Sequence, residues 1–220
     1  MKLLLTSGGL TNKSISDALF DLVGKKPEDT NIVFVPTASN VEKGDKDWLI
    51  DDLKNIQKQN FKQIEIADIS AVPKEIWLPK FEEADILFFE GGNTYHLMRE
   101  INKVGLIELL PELLKTKVWV GVSAGSMVTC PDLQLTTSKI VYGEDLEEIE
   151  NMKALGLVDF YVLPHLNSPY FENLRKDNER IQESLKNTSA KVYILDDNSA
   201  IKVVDGKEEI ITEGEYLVFN

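Results

Sequence analysis

Short, nearly uninterrupted apolar runs alternate with amphipathic stretches from Lys2 to Ser123, and no other feature constrains the fold as much. "KLLLTS" reads as a buried strand ending in Gly8-Gly9. "SISDALFDLVG" follows, with Ile15, Leu19 and Leu22 at helical spacing and Gly24 as its stop. "NIVFVPTAS", "FKQIEIADI", "DILFFEGG" and "VWVGVS" repeat the strand pattern. Between them, "DKDWLIDDLKNIQKQN" turns Trp48, Leu49, Leu53 and Ile56 to one face, "KEIWLPKFEEA" holds a short helix or two, and "NTYHLMREINKVGLIELLPELLK" supplies two helices. Strands that are apolar on both faces belong in a parallel sheet covered by helices on each side. The expected fold is therefore α/β. Beyond Ser123 the pattern loosens through "DLQLTTSKIVYGEDLEEIENMKAL". It resumes with a strand in "VDFYVLPH" and a helix in "SPYFENLRKDNERIQESLKN". The last 30 residues read as an antiparallel meander turning at Asp196-Asp197-Asn198, Asp205-Gly206 and Glu213-Gly214. With no repeat, low-complexity tract or Pro/Ser-rich linker, residues 1–220 are expected to form a single domain.

Composition narrows the function. A net charge of −13 argues against nucleic acid as a partner, because such binding rests on basic side chains displacing counterions. One cysteine, Cys130, precludes an internal disulfide, and with only two histidines there is little from which to build a metal site. No metal or other cofactor is expected. The apolar run near the start is too short for a secretory signal, and no stretch is long enough to span a membrane, so the expected location is cytoplasmic.

In an open α/β sheet, ligands gather outside the carboxyl ends of the strands. Three strand ends carry distinctive residues and are expected to share one rim: Glu90-Gly91-Gly92-Asn93, Gly121-Val122-Ser123-Ala124-Gly125, and Pro164-His165. The second is a G-x-S-x-G sequence between a strand and a helix, the pattern of a nucleophile elbow. A tight turn there pushes the serine hydroxyl out of the sheet, and the following amides are placed to meet a developing oxyanion. A serine nucleophile needs a base. His96 lies within a helical pattern and reads as a partly buried structural residue. His165, at a strand end on the rim, is the expected general base. The base needs an orienting carboxylate, and Asp132, Glu144, Asp145, Glu147, Glu148 and Glu150 all lie between Ser123 and His165 without a pattern that selects one. Gly91-Gly92-Asn93-Thr94 is either a helix cap built on Asn93 or Thr94, or a second oxyanion donor with Asn93 near the substrate. Neither it nor Gly8-Gly9 carries a dinucleotide or phosphate-loop fingerprint. Cys130, seven residues beyond the elbow serine, reads as buried.

Together "ILFFEGGNTYHLM", "VWVGVSAGSMV", "LPHLN" and the terminal strands resemble the peptidase E family, peptidase family S51, along nearly the whole chain. That family includes aspartyl dipeptidases and, more distantly, cyanophycinases. The resemblance implies a flavodoxin-like sheet related to class I glutamine amidotransferases, and metal-free serine exopeptidase activity on short peptides. It implies Ser123 as nucleophile, His165 as base, and the Gly92 and Ala124 amides as the oxyanion hole. Ser138 and Lys139 stand where aspartyl dipeptidases place an Asp after Thr-Thr. The spacing from Ser123 to His165 resembles branches that use Glu, so Glu144 is the expected third member and Asp145 the second choice. Asp177 stands where those dipeptidases hold a substrate aspartate with an arginine, and Arg175 is out of register. Strict Asp-X specificity is therefore not expected. The resulting expectation is a dipeptidase or aminopeptidase-like enzyme, monomeric or homodimeric. An α/β-hydrolase-like esterase and a non-catalytic binding module are the alternatives.

Overall fold

The computed structural model describes residues 1–133, 142, 153–175, 185 and 189–220. The strands and helices, in chain order, are β1 (Lys2–Thr6), α1 (Lys13–Val23), β2 (Asn31–Val35), α2 (Thr37–Asn40), α3 (Asp47–Lys58), β3 (Gln63–Ile66), α4 (Lys74–Glu83), β4 (Ile86–Phe89), α5 (Thr94–Lys103), α6 (Leu110–Leu113), β5 (Val118–Val122), α7 (Ala124–Met127), β6 (Tyr161–Pro164), β7 (Val192–Leu195), β8 (Ser199–Val204), β9 (Lys207–Thr212) and β10 (Tyr216–Phe219). The large sheet has the order β3-β2-β4-β5-β1-β8-β9. Its first five strands are parallel, and the β8–β9 hairpin joins β1 antiparallel.

Residue alternation along these strands sends side chains to two cores. Leu3, Leu5, Val33, Val35, Leu87, Phe89 and Trp119 face α4 and α5, meeting Trp77, Phe81, Leu97, Met98 and Ile101. Leu4, Ile32, Phe34, Ile86, Phe88, Val118 and Val120 face the other way, onto Ile15, Leu19 and Leu22 of α1 and Ile56 of α3. Burial on both faces explains why these strands read as unbroken apolar runs. At the edge, β3 has a neighbour on one side only, and Ile64 and Ile66 are exposed.

The C-terminal strands depart from a simple meander. β7 does not pair with β8. It forms a second, three-stranded sheet, lying parallel to β6 and antiparallel to β10. The chain crosses from the small sheet to the large one between Leu195 and Ser199, and returns between β9 and β10. The physical reason is burial. Val162, Tyr193 and Leu195 enter the core shared with the large sheet, while Leu163, Val192 and Ile194 pack on Leu166, Leu174 and Leu185. A continuous meander would leave one of these faces in water. The helix expected over 168–187 begins with a 3₁₀ turn at Glu172–Leu174, and most of its remainder lies outside the described residues. No helix among the described residues is long and apolar enough to cross a membrane.

Candidate active site

The elbow is built by close packing beneath Ser123. Its backbone has φ 47° and ψ −107°, a conformation disfavoured for any residue with a Cβ. Several contacts impose it. Ser123 N donates to Thr6 O of β1 at 3.1 Å, and Ser123 O accepts from the amides of Ser126 and Met127 at 2.9 Å each. The Ser126 hydroxyl is within hydrogen-bonding distance of the carbonyls of Thr6 at 2.8 Å and Gly121 at 2.9 Å. Trp119 Nε1 donates to Gly125 O at 3.1 Å, with its ring stacked 3.8 Å from that of Phe89. A methyl group on Gly125 would run into the Phe89 carbonyl, so the helix can start this close to β4 only with glycine there.

The exposed hydroxyl meets a histidine from the small sheet. His165 follows β6 with φ 73°, and its Nε2 lies 2.9 Å from Ser123 Oγ. Its Nδ1 lies 2.7 Å from Asp197 Oδ1. Ser7, just past β1, closes the arrangement: its hydroxyl donates to Asp197 Oδ1 at 2.7 Å and accepts from His165 N at 2.8 Å. The Phe171 ring stacks on the imidazole, 5.0 Å between centroids and 20° between planes. Burial alone would raise the Asp197 carboxyl. Its hydrogen bond to His165, the charge of that imidazole and the Ser7 hydroxyl outweigh burial and hold it below the ordinary value. Asp197 is thus poised to stay ionised, fix the histidine tautomer and stabilise an imidazolium.

Ser123 and His165 are therefore brought together as expected, but the Nδ1 partner comes from elsewhere. Glu144 and Asp145 lie outside the described residues, and the position anticipated for Glu144 is occupied by Asp197. Sequence reasoning missed Asp197 because it lies 32 residues beyond His165 and reads as a turn residue. The available signal was its place at the end of β7, since every strand end is a candidate position on such a rim. Ser7, at the end of β1, was missed for the same reason.

The Gly91-Gly92 turn lies beside the serine. A methyl on Gly91 would stand 3.3 Å from the Ser123 Cβ and 3.9 Å from Cζ3 of Trp48 on α3. Gly92, at φ 126°, packs so tightly on Ala38 and Ser39 that any side chain would collide with their backbone. Among the described residues, neither the Gly92 nor the Ala124 N–H donates a hydrogen bond, which leaves both amides available to an incoming oxygen. Asn93 acts as the α5 N-cap, its Oδ1 accepting from His96 N at 2.8 Å. His96 itself takes a proton donor, Arg99 Nη2, on Nδ1 at 2.8 Å, and burial holds its imidazole below the ordinary value. Cys130 is buried and its thiol is pushed up to about 12 by that burial, so it is no nucleophile. Among the described residues no three His, Cys, Asp or Glu side chains converge to hold a metal ion.

Known proteins resemble this chain in sequence and in fold. A sequence model of peptidase family S51 matches residues 3–211. An uncharacterized peptidase of Pasteurella multocida (strain Pm70) is 30% identical over 167 residues, covering 74% of this chain and 77% of that protein. A peptidase E of the same organism is 26% identical over 211 residues, covering 94% of this chain and 83% of its own. In three dimensions, the structure of a Listeria monocytogenes EGD-e protein classed provisionally as a peptidase E matches with a TM-score of 0.77. At 23% identity, it covers 97% of this chain and 98% of that one, so the fold is shared.

Proposed function

The chain belongs to peptidase family S51 and is a serine peptidase, and from that premise we propose that it is an exopeptidase cleaving short peptides through an acyl-enzyme. The observation that carries the reading is the continuous path from Ser123 Oγ through His165 to Asp197, with links of 2.9 and 2.7 Å, above a strained serine. Ser123 Oγ attacks the peptide carbonyl as His165 Nε2 takes its proton. Asp197 holds the imidazole through Nδ1 and stabilises its charged form. The Gly92 and Ala124 amides receive the oxyanion. His165 then protonates the leaving amine, and water releases the acyl group by the same path in reverse.

The preference for short peptides rests on the crowding of the rim by Trp48, Phe171 and the Gly91–Gly92 turn. A preference other than Asp-X rests on Asp177, an acid at the position where an arginine would be needed to hold a substrate carboxylate. Asn93 stands next to the oxyanion glycine, and with its Oδ1 engaged as the helix cap, its amide nitrogen is the group available to a substrate. The protein is expected to act in the cytoplasm as a monomer or homodimer.

The test is a panel of dipeptides, longer peptides and aminoacyl p-nitroanilides presented to wild type and Ser123→Ala. Turnover should fall by about 10⁴-fold or more in the variant while its melting temperature stays within about 3 °C. Unchanged turnover by a pure Ser123→Ala preparation would exclude the serine mechanism. Cleavage confined to the interior of longer peptides would exclude the exopeptidase reading.

A further inference from the structure

Two acidic side chains outside the serine–histidine–aspartate path lie directly behind the oxyanion turn. Glu90 directly follows β4 and is fully buried, and Asp52 on α3 is nearly so. Glu90 Oε1 accepts the Gly91 N–H at 2.9 Å. Its Oε2 is buried and, among the described residues, meets no N–H or hydroxyl donor. The side chain that faces the Glu90 carboxyl is Asp52, itself an acid. Asp52 also packs against the Gly8–Gly9 turn, where a methyl on Gly9 would strike its Oδ1. Two carboxylates cannot hydrogen-bond to one another, because each is an acceptor only. One bound proton turns the contact into a donor–acceptor pair.

We propose that Glu90 is a positioning residue that works as a neutral acid: Oε1 orients the Gly91 peptide, and the proton on Oε2 is donated to Asp52, so that α3 and the oxyanion turn are held as one piece. This rests on the assignment of the Gly92 amide to the oxyanion hole. The peptide oriented by Glu90 immediately precedes that amide. Gly92 is already wedged against Ala38 and Ser39, and Asn93 N donates to Ala38 O at 3.0 Å. Fixing the Gly91 end removes the remaining freedom of the donor. The same α3 face carries Trp48 over Gly91, one helical turn from Asp52, so the bond sets the wall of the site as well as its floor.

The electrostatics agree on which carboxyl holds the proton. Burial, and then the facing Asp52, raise Glu90 well above the ordinary value. Burial also raises Asp52, to about 7. The hydrogen bond with Glu90 works against that rise, Asp197 and Asp51 add to it, and His165 opposes it. Asp52 therefore loses its proton first and becomes the acceptor, while Glu90 stays neutral as donor. As pH rises through the Glu90 ionisation, two carboxylates come to face each other in a buried site. Oε2 then loses its acceptor partner, and the turn is freed.

The experiment compares wild type, Glu90→Gln and Glu90→Leu with the best-cleaved p-nitroanilide of the panel. The readouts are kcat across pH and infrared difference spectra at about pH 8.5, above the Asp52 ionisation. Glutamine reproduces the neutral acid, with Oε1 accepting and Nε2 donating. It should keep kcat within about 3-fold and abolish an alkaline fall in kcat present in wild type. Leucine should lower kcat by about 10-fold or more with little change in KM, since a misplaced oxyanion donor acts on the transition state. The wild-type spectrum should carry a protonated-carboxyl band missing from Glu90→Gln. The proposal is overturned if glutamine is as damaging as leucine, if leucine leaves kcat intact, if the alkaline fall persists in Glu90→Gln, or if the band is absent. If Glu90→Leu does not fold, the two Glu90→Gln readouts decide. Failure of the serine mechanism is separately visible as turnover surviving Ser123→Ala, and the infrared band is independent of turnover.

Discussion

Ser123 adopts a backbone conformation that costs about 1–3 kcal/mol for a residue with a Cβ. Glycine tolerates φ 47°, ψ −107° far better. Ser123→Gly is therefore expected to be about 1 kcal/mol more stable than Ser123→Ala in urea unfolding, although both lack the hydroxyl. Equal stabilities would mean that the turn stores no strain. Asp197 makes a separate prediction. Asn in its place keeps the size but removes the charge and presents an N–H₂ that favours the wrong histidine tautomer. Asp197→Asn should lower kcat by about 10⁴-fold, whereas Glu144→Gln should change it by less than about 3-fold. The reverse ranking would return the orienting role to the segment before β6.

At the scale of elements, α3 links the fold to the site. Its Ile56 is buried under the sheet, and its Asp52 is buried beside Glu90. A carboxyl raised to about 7 in the folded chain, against an ordinary value of 3.8, binds a proton more tightly folded than unfolded. The stability this confers is complete below pH 4 and is lost as pH rises through 7. Asp52→Asn lacks this dependence, so its melting temperature should exceed that of wild type by about 3 °C or more at pH 8, and by less at pH 5. A pH-independent difference would show that Asp52 is not a buried acid. The elements themselves were largely legible in the sequence. Runs such as "ILFF" and "VWVGV" are apolar on both faces, and the glycines after them mark where the chain turns. The serine and the histidine were legible because each closes such a run. What stayed hidden was the second sheet. "VYIL" looks the same whether its neighbour is β8 or β6, and strand partnership is set by tertiary burial rather than by local pattern. The contact between Asp197 and His165 was hidden with it, because Asp197 reaches His165 only through that pairing.

Across the whole molecule, the site sits on a seam. Ser123 and Ser7 follow strands of the large sheet, while His165 and Asp197 follow strands of the small one. The crossing point is tied down by Asp196. Its Oδ1 accepts from Ser199 Oγ at 2.6 Å and Asn198 N at 3.1 Å, and its Oδ2 accepts from Glu215 N at 2.6 Å. Asp196→Ala should cost about 2 kcal/mol, lower the melting temperature by about 4–8 °C and reduce kcat, although the residue touches no reacting atom. A variant with wild-type kcat would show that Asp197 is held by its own contacts alone.

The division of the proposed triad between two sheets would make turnover a built-in gauge of their docking. A slip of the small sheet by a fraction of an ångström would separate Ser123 from His165 long before either sheet lost its own ladder of backbone bonds. In a urea titration, catalysis should therefore vanish at a lower concentration than far-ultraviolet ellipticity. Coincident midpoints would mean that the two sheets dissolve as a single cooperative unit.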